Sequence, residues 1–151
     1  GYASHAEGQW TVASGIASHA EGATTTASGN SSHAEGHETV AREWGDHAEG
    51  IRSEAKGVAS HAEGMDTIAS GSSQHVQGRF NIEDTTNRYA HIVGNGERDD
   101  ARSNAHTVDW NGNTWFAGDV YIGGTSQDDA RKLATVEDVL AALPTWNGGA
   151  Y

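Results

Sequence analysis

Two side chains able to move protons or bind ions recur at a fixed interval in this chain. His5, His19, His33, His47, His61 and His75 lie fourteen residues apart, and Glu7, Glu21, Glu35, Glu49 and Glu63 each follow two residues behind one of the first five. Imidazole beside carboxylate suits acid–base catalysis, metal ligation or a hydrogen-bonded contact. Serine precedes most of these histidines, as in Ser18-His19, so a nucleophile–base pair is the first arrangement to weigh. It fails on strand geometry, because neighbouring strand residues face opposite sides. A metal-binding ladder has its donors in every layer but no distinctive ligand spacing. No catalytic residue, metal or cofactor is expected, and the chain is read as a non-enzyme.

The element that must position these residues is a repeat. Ala6, Ala20, Ala34, Ala48 and Ala62 keep the phase of the histidines until Val76, and Gln77 ends the glutamate column. Gly8, Gly22, Gly36, Gly50, Gly64 and Gly78 close each unit, while Ala13, Ala27, Ala41, Ala55 and Ala69 mark its other half. Fourteen residues are too few for a helix pair, and fit two short strands joined by tight turns with glycine where φ is positive. Coils stacked at about 4.8 Å would make six units a rod of about 29 Å. Alternation then sends Ser, Ala and Gly of each Ser-His-Ala-Glu-Gly unit inward and His and Glu outward.

The outward columns of the second strand vary freely. Val12, Thr26, Val40, Glu54 and Ile68 share one, and Ser14, Ser28, Arg42, Lys56 and Ser70 the next. The His and Glu columns do not vary, which implies the same contact in every layer. Stacked glutamates repel one another unless each has a donor, and the histidines supply one per layer. The expected role of His5, Glu7, His19, Glu21, His33, Glu35, His47, Glu49, His61, Glu63 and His75 is therefore a homotrimer interface, with His of one chain bonded to Glu of a neighbour. A solvated polar face copied by repeat duplication is the plainer alternative.

Composition agrees with assembly over a conventional core. Of 151 residues 20 are glycine, one is proline and none is cysteine, and much of the apolar share of 35% is alanine. The formal charge of −12 disfavours nucleic acid and anionic lipid as partners, and no apolar run approaches membrane-spanning length. Gly1 lies in phase with the repeat, so the chain reads as part of a longer one.

From Gly1 to about Gly78 these units resemble the haemagglutinin-type head repeats of trimeric autotransporter adhesins and of tailed-phage and prophage fibres. The resemblance implies an all-β fold, a left-handed parallel β-roll that packs as a homotrimer around a central axis. It implies that the His and Glu positions face that axis, where adhesins usually carry aliphatic residues. Asn87 to Gly124, above all the stretch Ala105 to Val120, resembles the ends of prophage tail-fibre or appendage proteins. The expected function is structural and adhesive, a rigid spacer or receptor-binding tip of a phage or prophage tail fibre. The expected location is the virion or an extracellular surface. The alternatives are the head of a bacterial trimeric surface adhesin, and a glycan depolymerase or self-cleaving appendage, although no residues map onto such a catalytic centre.

Three segments follow from these patterns: a solenoid over 1–79, a hairpin-rich β domain over 80–125, and a short helix with an aromatic, glycine-rich tail over 126–151. The repeat is expected to stop after Gly78, with Val76 and Gln77 in a capping coil and Asn95 to Asn104 as an exposed loop. Asn111-Gly112 between Thr107–Trp110 and Asn113–Phe116 suits a type I′ hairpin. Asp109, Asn111 and Asn113 also mimic the start of a calcium loop, but its later glycine and acidic ligand are missing. Val136, Val139, Leu140 and Leu143 form one apolar stripe on the expected helix, which Pro144 ends. Trp10 and Trp44 fall in columns otherwise filled by smaller or polar residues. They are the candidates for stacking on carbohydrate of a host cell-surface receptor, with fibre-to-fibre or local packing as the plainer role.

Overall fold

The structure, a computed structural model, describes residues 1–122 and 131–132. Described residues 1–117 belong to one unit, Gly1–Ala117, and the remainder to a second, Gly118–Tyr151. All regular elements among the described residues are strands, and the first unit is a β-solenoid built on the fourteen-residue period.

Each of the first five coils contributes one long and one short strand, and the sixth a long strand only. The long ones are β1 (His5–Gln9), β3 (His19–Ala23), β5 (His33–His37), β7 (His47–Ile51), β9 (His61–Met65) and β11 (His75–Arg79). The short ones are β2 (Val12–Ala13), β4 (Thr26–Ala27), β6 (Val40–Ala41), β8 (Glu54–Ala55) and β10 (Ile68–Ala69). Like residues pair in parallel register from coil to coil, His19 with His33 and Ala20 with Ala34 on one sheet, Ala27 with Ala41 on the other.

The interior is as thin as the sequence implies. Ala20, Ala34, Ala48 and Ala62 from one sheet and Ala27, Ala41, Ala55 and Ala69 from the other are fully buried. Two methyl groups per coil contribute only about 0.8 kcal/mol each, so the parallel ladders carry much of the order. Thr25, Thr39, Ser53 and Thr67 fill a second buried column, and Ser18, Ser32, Asp46, Ser60 and Gln74 a third.

The glycines differ from expectation in direction. Gly22, Gly36, Gly64 and Gly78 are exposed rather than inward, because φ near +100° at this column bends the strand after Glu and breaks the alternation. A Cβ on Gly36 would also press far inside contact distance of the Gly50 carbonyl oxygen. Gly15, Gly29, Gly57 and Gly71 have ordinary φ and stand where a Cβ would press on the next coil, although Glu43 fills this column in the fourth repeat. The left-handed corner positions fall every seven residues, at Ala3, Trp10, Ala17, Thr24, Ser31, Glu38, Gly45, Arg52, Ala59, Asp66, Ser73 and Phe80. Only one of these is glycine. Corner N–H groups there bond the preceding coil, as Thr24 N–H to Gln9 O at 2.8 Å, which holds the residue in place.

The ladder does not stop at Gly78. β12 (Tyr89–Asn95) adds in parallel to β11, pairing His75 with His91, Val76 with Ile92 and Gly78 with Gly94. Val76 and Gln77 therefore belong to an ordinary coil, not to a cap. His75 and His91 are sixteen residues apart, and the two extra residues are taken up in the loop before β12. Buried Asp84 organises that loop, accepting hydrogen bonds from Thr86 N–H, Thr86 Oγ1, Tyr89 N–H and the Gln74 amide.

β13 (Asn104–Asp109) then pairs antiparallel with β12, and β14 (Thr114–Phe116) with β13. Between β12 and β13, residues 97–100 form the expected exposed loop, but Arg102 folds back. Its guanidinium donates to the carbonyls of Asp66 and Asn81 and lies over the Phe80 ring. The β13–β14 hairpin has a three-residue loop, Trp110-Asn111-Gly112, closed by Asp109 N–H to Asn113 O at 2.9 Å. Gly112 alone has positive φ, whereas a type I′ turn needs it at Asn111 as well. The Asp109 carboxylate accepts from Asn111 N–H, Asn113 N–H and the Asn113 amide, so it is spent on the turn.

In the second unit β15 (Tyr121–Ile122) pairs antiparallel with β16 (Arg131–Lys132). The expected helix, with Val136, Val139, Leu140 and Leu143, lies outside the described residues.

Candidate functional site: the histidine–glutamate face

Register fixes the arrangement of the outward columns. Because each coil repeats the last in register, every His stands over the previous one, and every Glu likewise. The imidazoles form a continuous stack. Ring centroids of His19, His33, His47, His61 and His75 are 4.5–4.8 Å apart and within 10–13° of parallel. His5 and His91 extend it at both ends, tilted. His106 meets His91 edge-on, and Phe116 stacks on His106 at 4.6 Å.

The glutamates run beside the stack and line a groove of about 590 Å³ together with the exposed glycine column. His19, His33 and His47 approach the Glu of their own coil, Nε2 to carboxylate oxygen at 3.8, 3.7 and 3.9 Å. His61 and His75 approach the Glu of the coil before, at 3.9 and 3.5 Å. None of these pairs is a hydrogen bond. The Nε2 atoms of His19, His33, His47, His61 and His75 are buried and have no hydrogen-bond partner among the described residues. At the next layer Gln77 takes the place of glutamate, and its amide lies 3.3 Å from His91 Nε2.

Burial and then the neighbouring histidines hold His33, His61 and His91 below the ordinary imidazole value, against a weaker pull from nearby glutamates. At these three positions the stack favours the neutral imidazole. Ser18, adjacent to His19 in sequence, points the other way and donates to Gly15 O inside the coil. The two do not form a nucleophile–base pair.

Opposite columns behave as a solvated face. Arg42 pairs with Glu54, and Lys56 bridges Glu54 and Glu83 at 3.2 and 3.1 Å. One buried carboxylate interrupts the serine column: Asp46 accepts from Glu43 N–H, Ser60 N–H and Ser60 Oγ. Burial pushes its carboxyl up, ahead of those hydrogen bonds, which pull down.

Trp10 and Trp44 are 76% and 60% exposed. They stand at different corners of the coil, so the chain does not bring them together. Trp44 lies in a column with exposed Tyr2, Ile16 and Val58, interrupted by Asn30. Sequence reasoning passed over His91 and His106. The first had a signal, since His91 precedes Gly94 by the same step as His75 precedes Gly78.

No family model, curated protein or solved structure matches this chain. Among the described residues no helix is long and apolar enough to cross a membrane.

Proposed function

We propose that the chain is a shaft segment of a homotrimeric fibre, a left-handed β-roll of a phage or prophage tail fibre, acting in host attachment as rigid spacer or receptor-binding tip. One observation carries the assembly: five successive layers hold a buried imidazole Nε2 with no hydrogen-bond partner among the described residues. A buried polar atom left so costs about 1–3 kcal/mol, and rings that turn outward to a partner meeting every layer alike would relieve that cost. A second and third copy of the same rod meets that condition, because identical coils present identical donors at the same spacing. In this reading the Glu columns of neighbouring copies accept from the imidazoles, and the variable, ion-paired face remains in solvent. Trp10 and Trp44 are outward groups for a carbohydrate receptor.

Sedimentation of the chain in native buffer tests the assembly. Three chains per particle are expected, and a well-folded single chain in dilute solution would overturn it.

A further inference from the structure

We propose that His61, Glu63 and His75 form a binding site for one divalent transition ion of the zinc class. The ligands all come from one chain, so the inference goes beyond the trimeric reading and does not depend on it; at these layers the ion takes the place of a neighbouring copy's carboxylate. The donor atoms of the three side chains lie within 4.8 Å of one another. Glu63 Oε1 and His75 Nε2 are 3.5 Å apart, and neither His61 nor His75 uses its buried Nε2 in a hydrogen bond. A tetrahedral ion with bonds of about 2.0–2.1 Å sets its ligand atoms about 3.3–3.4 Å apart. The Glu63–His75 pair already stands near that separation, whereas the rings of His61 and His75 are stacked 4.8 Å apart and 11° from parallel, so His61 must turn out of the stack to aim its lone pair at the same ion.

The surroundings select this triad from the stack. His47, Glu49 and His61 make a similar group, but the two share His61, whose single Nε2 lone pair serves one ion. Glu63 makes the closest carboxylate–imidazole contact on this face, and in the following layer Gln77 partners His91, leaving His75 as the last Nε2 with no hydrogen-bond partner among the described residues. Glu49, 3.9 Å from His61, adds a second negative charge against a dication. Two imidazoles and a carboxylate suit zinc, nickel or copper, whereas magnesium and calcium favour all-oxygen sets. Three protein ligands leave a fourth position for water.

Cobalt(II) titration of the untagged chain, followed by its visible absorption and reversed by zinc, tests the site. One ion per chain with a tetrahedral spectrum is expected, and no response to magnesium or calcium. His75→Gln and Glu63→Gln are each expected to weaken binding more than about 100-fold, since changes outside the ligand shell alone cost about 10–100-fold. Glutamine is already accommodated in the Glu column at Gln77, so Glu63→Gln keeps the test usable if His75→Gln does not fold. His19→Gln, in the same stack but away from the triad, is expected to bind as the parent does. An octahedral spectrum, no binding, or equal loss in His19→Gln and Glu63→Gln would each overturn the site. Sedimentation of the same samples reports the assembly separately, so loss of one reading is not confused with loss of the other.

Discussion

The imidazoles of His47 and His61 lie face to face, centroids 4.5 Å apart and 10° from parallel, although fourteen residues separate them in the chain. Such closeness is comfortable for neutral rings and repulsive for charged ones, and it recurs along the whole face.

Acidification is therefore expected to weaken the fold. His33 faces His19 and His47 above and below and Glu21 and Glu35 beside it, and burial with the two histidines holds it below its ordinary 6.5. A group depressed in this way binds its proton more readily when unfolded. Its stabilisation is full above 6.5 and is lost as pH falls from that value through the lower folded value. Melting temperature measured from about pH 7.5 to about pH 5 should fall steadily; a flat profile would contradict the depressed value at His33.

The buried carboxylate of Asp46 has the opposite sign. Its folded value is raised, so the fold holds that proton more tightly, and its penalty at neutral pH is relieved as pH falls. Asp46→Ser restores the residue found at Ser18, Ser32 and Ser60 and removes this term. The difference in melting temperature, variant minus parent, should favour the variant more at neutral pH than near pH 4.

Two kinds of backbone position should respond oppositely to substitution. Gly36→Ala places a Cβ against the Gly50 carbonyl at φ +107° and is expected to cost at least about 2–3 kcal/mol. Ser31→Gly, at a corner with φ +57°, should lie within about 1 kcal/mol of the parent, because relief of left-handed strain offsets the added freedom of the unfolded chain. Repeat four already has Gly45 at that corner. Urea unfolding of the two variants separates the cases.

Trp44 is a surface group in this fold, so Trp44→Ala should leave the melting temperature unchanged. Retention of host-wall polysaccharide on immobilised protein should drop if the ring stacks on sugar, by about tenfold for a loss of about 1.4 kcal/mol. Unchanged retention would remove Trp44 from the receptor surface.

Much of this was legible because one physical rule, alternation on a short strand, acts on a repeat without drift. Ala20 and Ala27 are interior and His19 and Glu21 exterior for that reason. Alternation failed at Gly22, where positive φ turns the chain, a torsion that composition does not display. Corner residues such as Thr24 and Glu38 were not recognised as left-handed, since nothing in their types favours it; the bond to the preceding coil imposes it. The added coil at β12 was hidden by two extra residues and by Ala90-His91-Ile92-Val93-Gly94 in place of the usual five. Asp84 absorbs that insertion through tertiary hydrogen bonds that local pattern does not carry. The unpaired state of the imidazole nitrogens is a matter of ångströms and had no sequence signature.

A surface that says the same thing in every layer has no built-in zero. Two such rods laid side by side would give up only one layer of contact by slipping one rung, about 4.8 Å. The irregular coil breaks this degeneracy, with Gln77 beside His91, the Asp84 loop and Arg102 folded over Phe80. If the chain assembles as proposed, those residues are its fiducial mark: they would tell neighbouring copies where along the ladder to start counting.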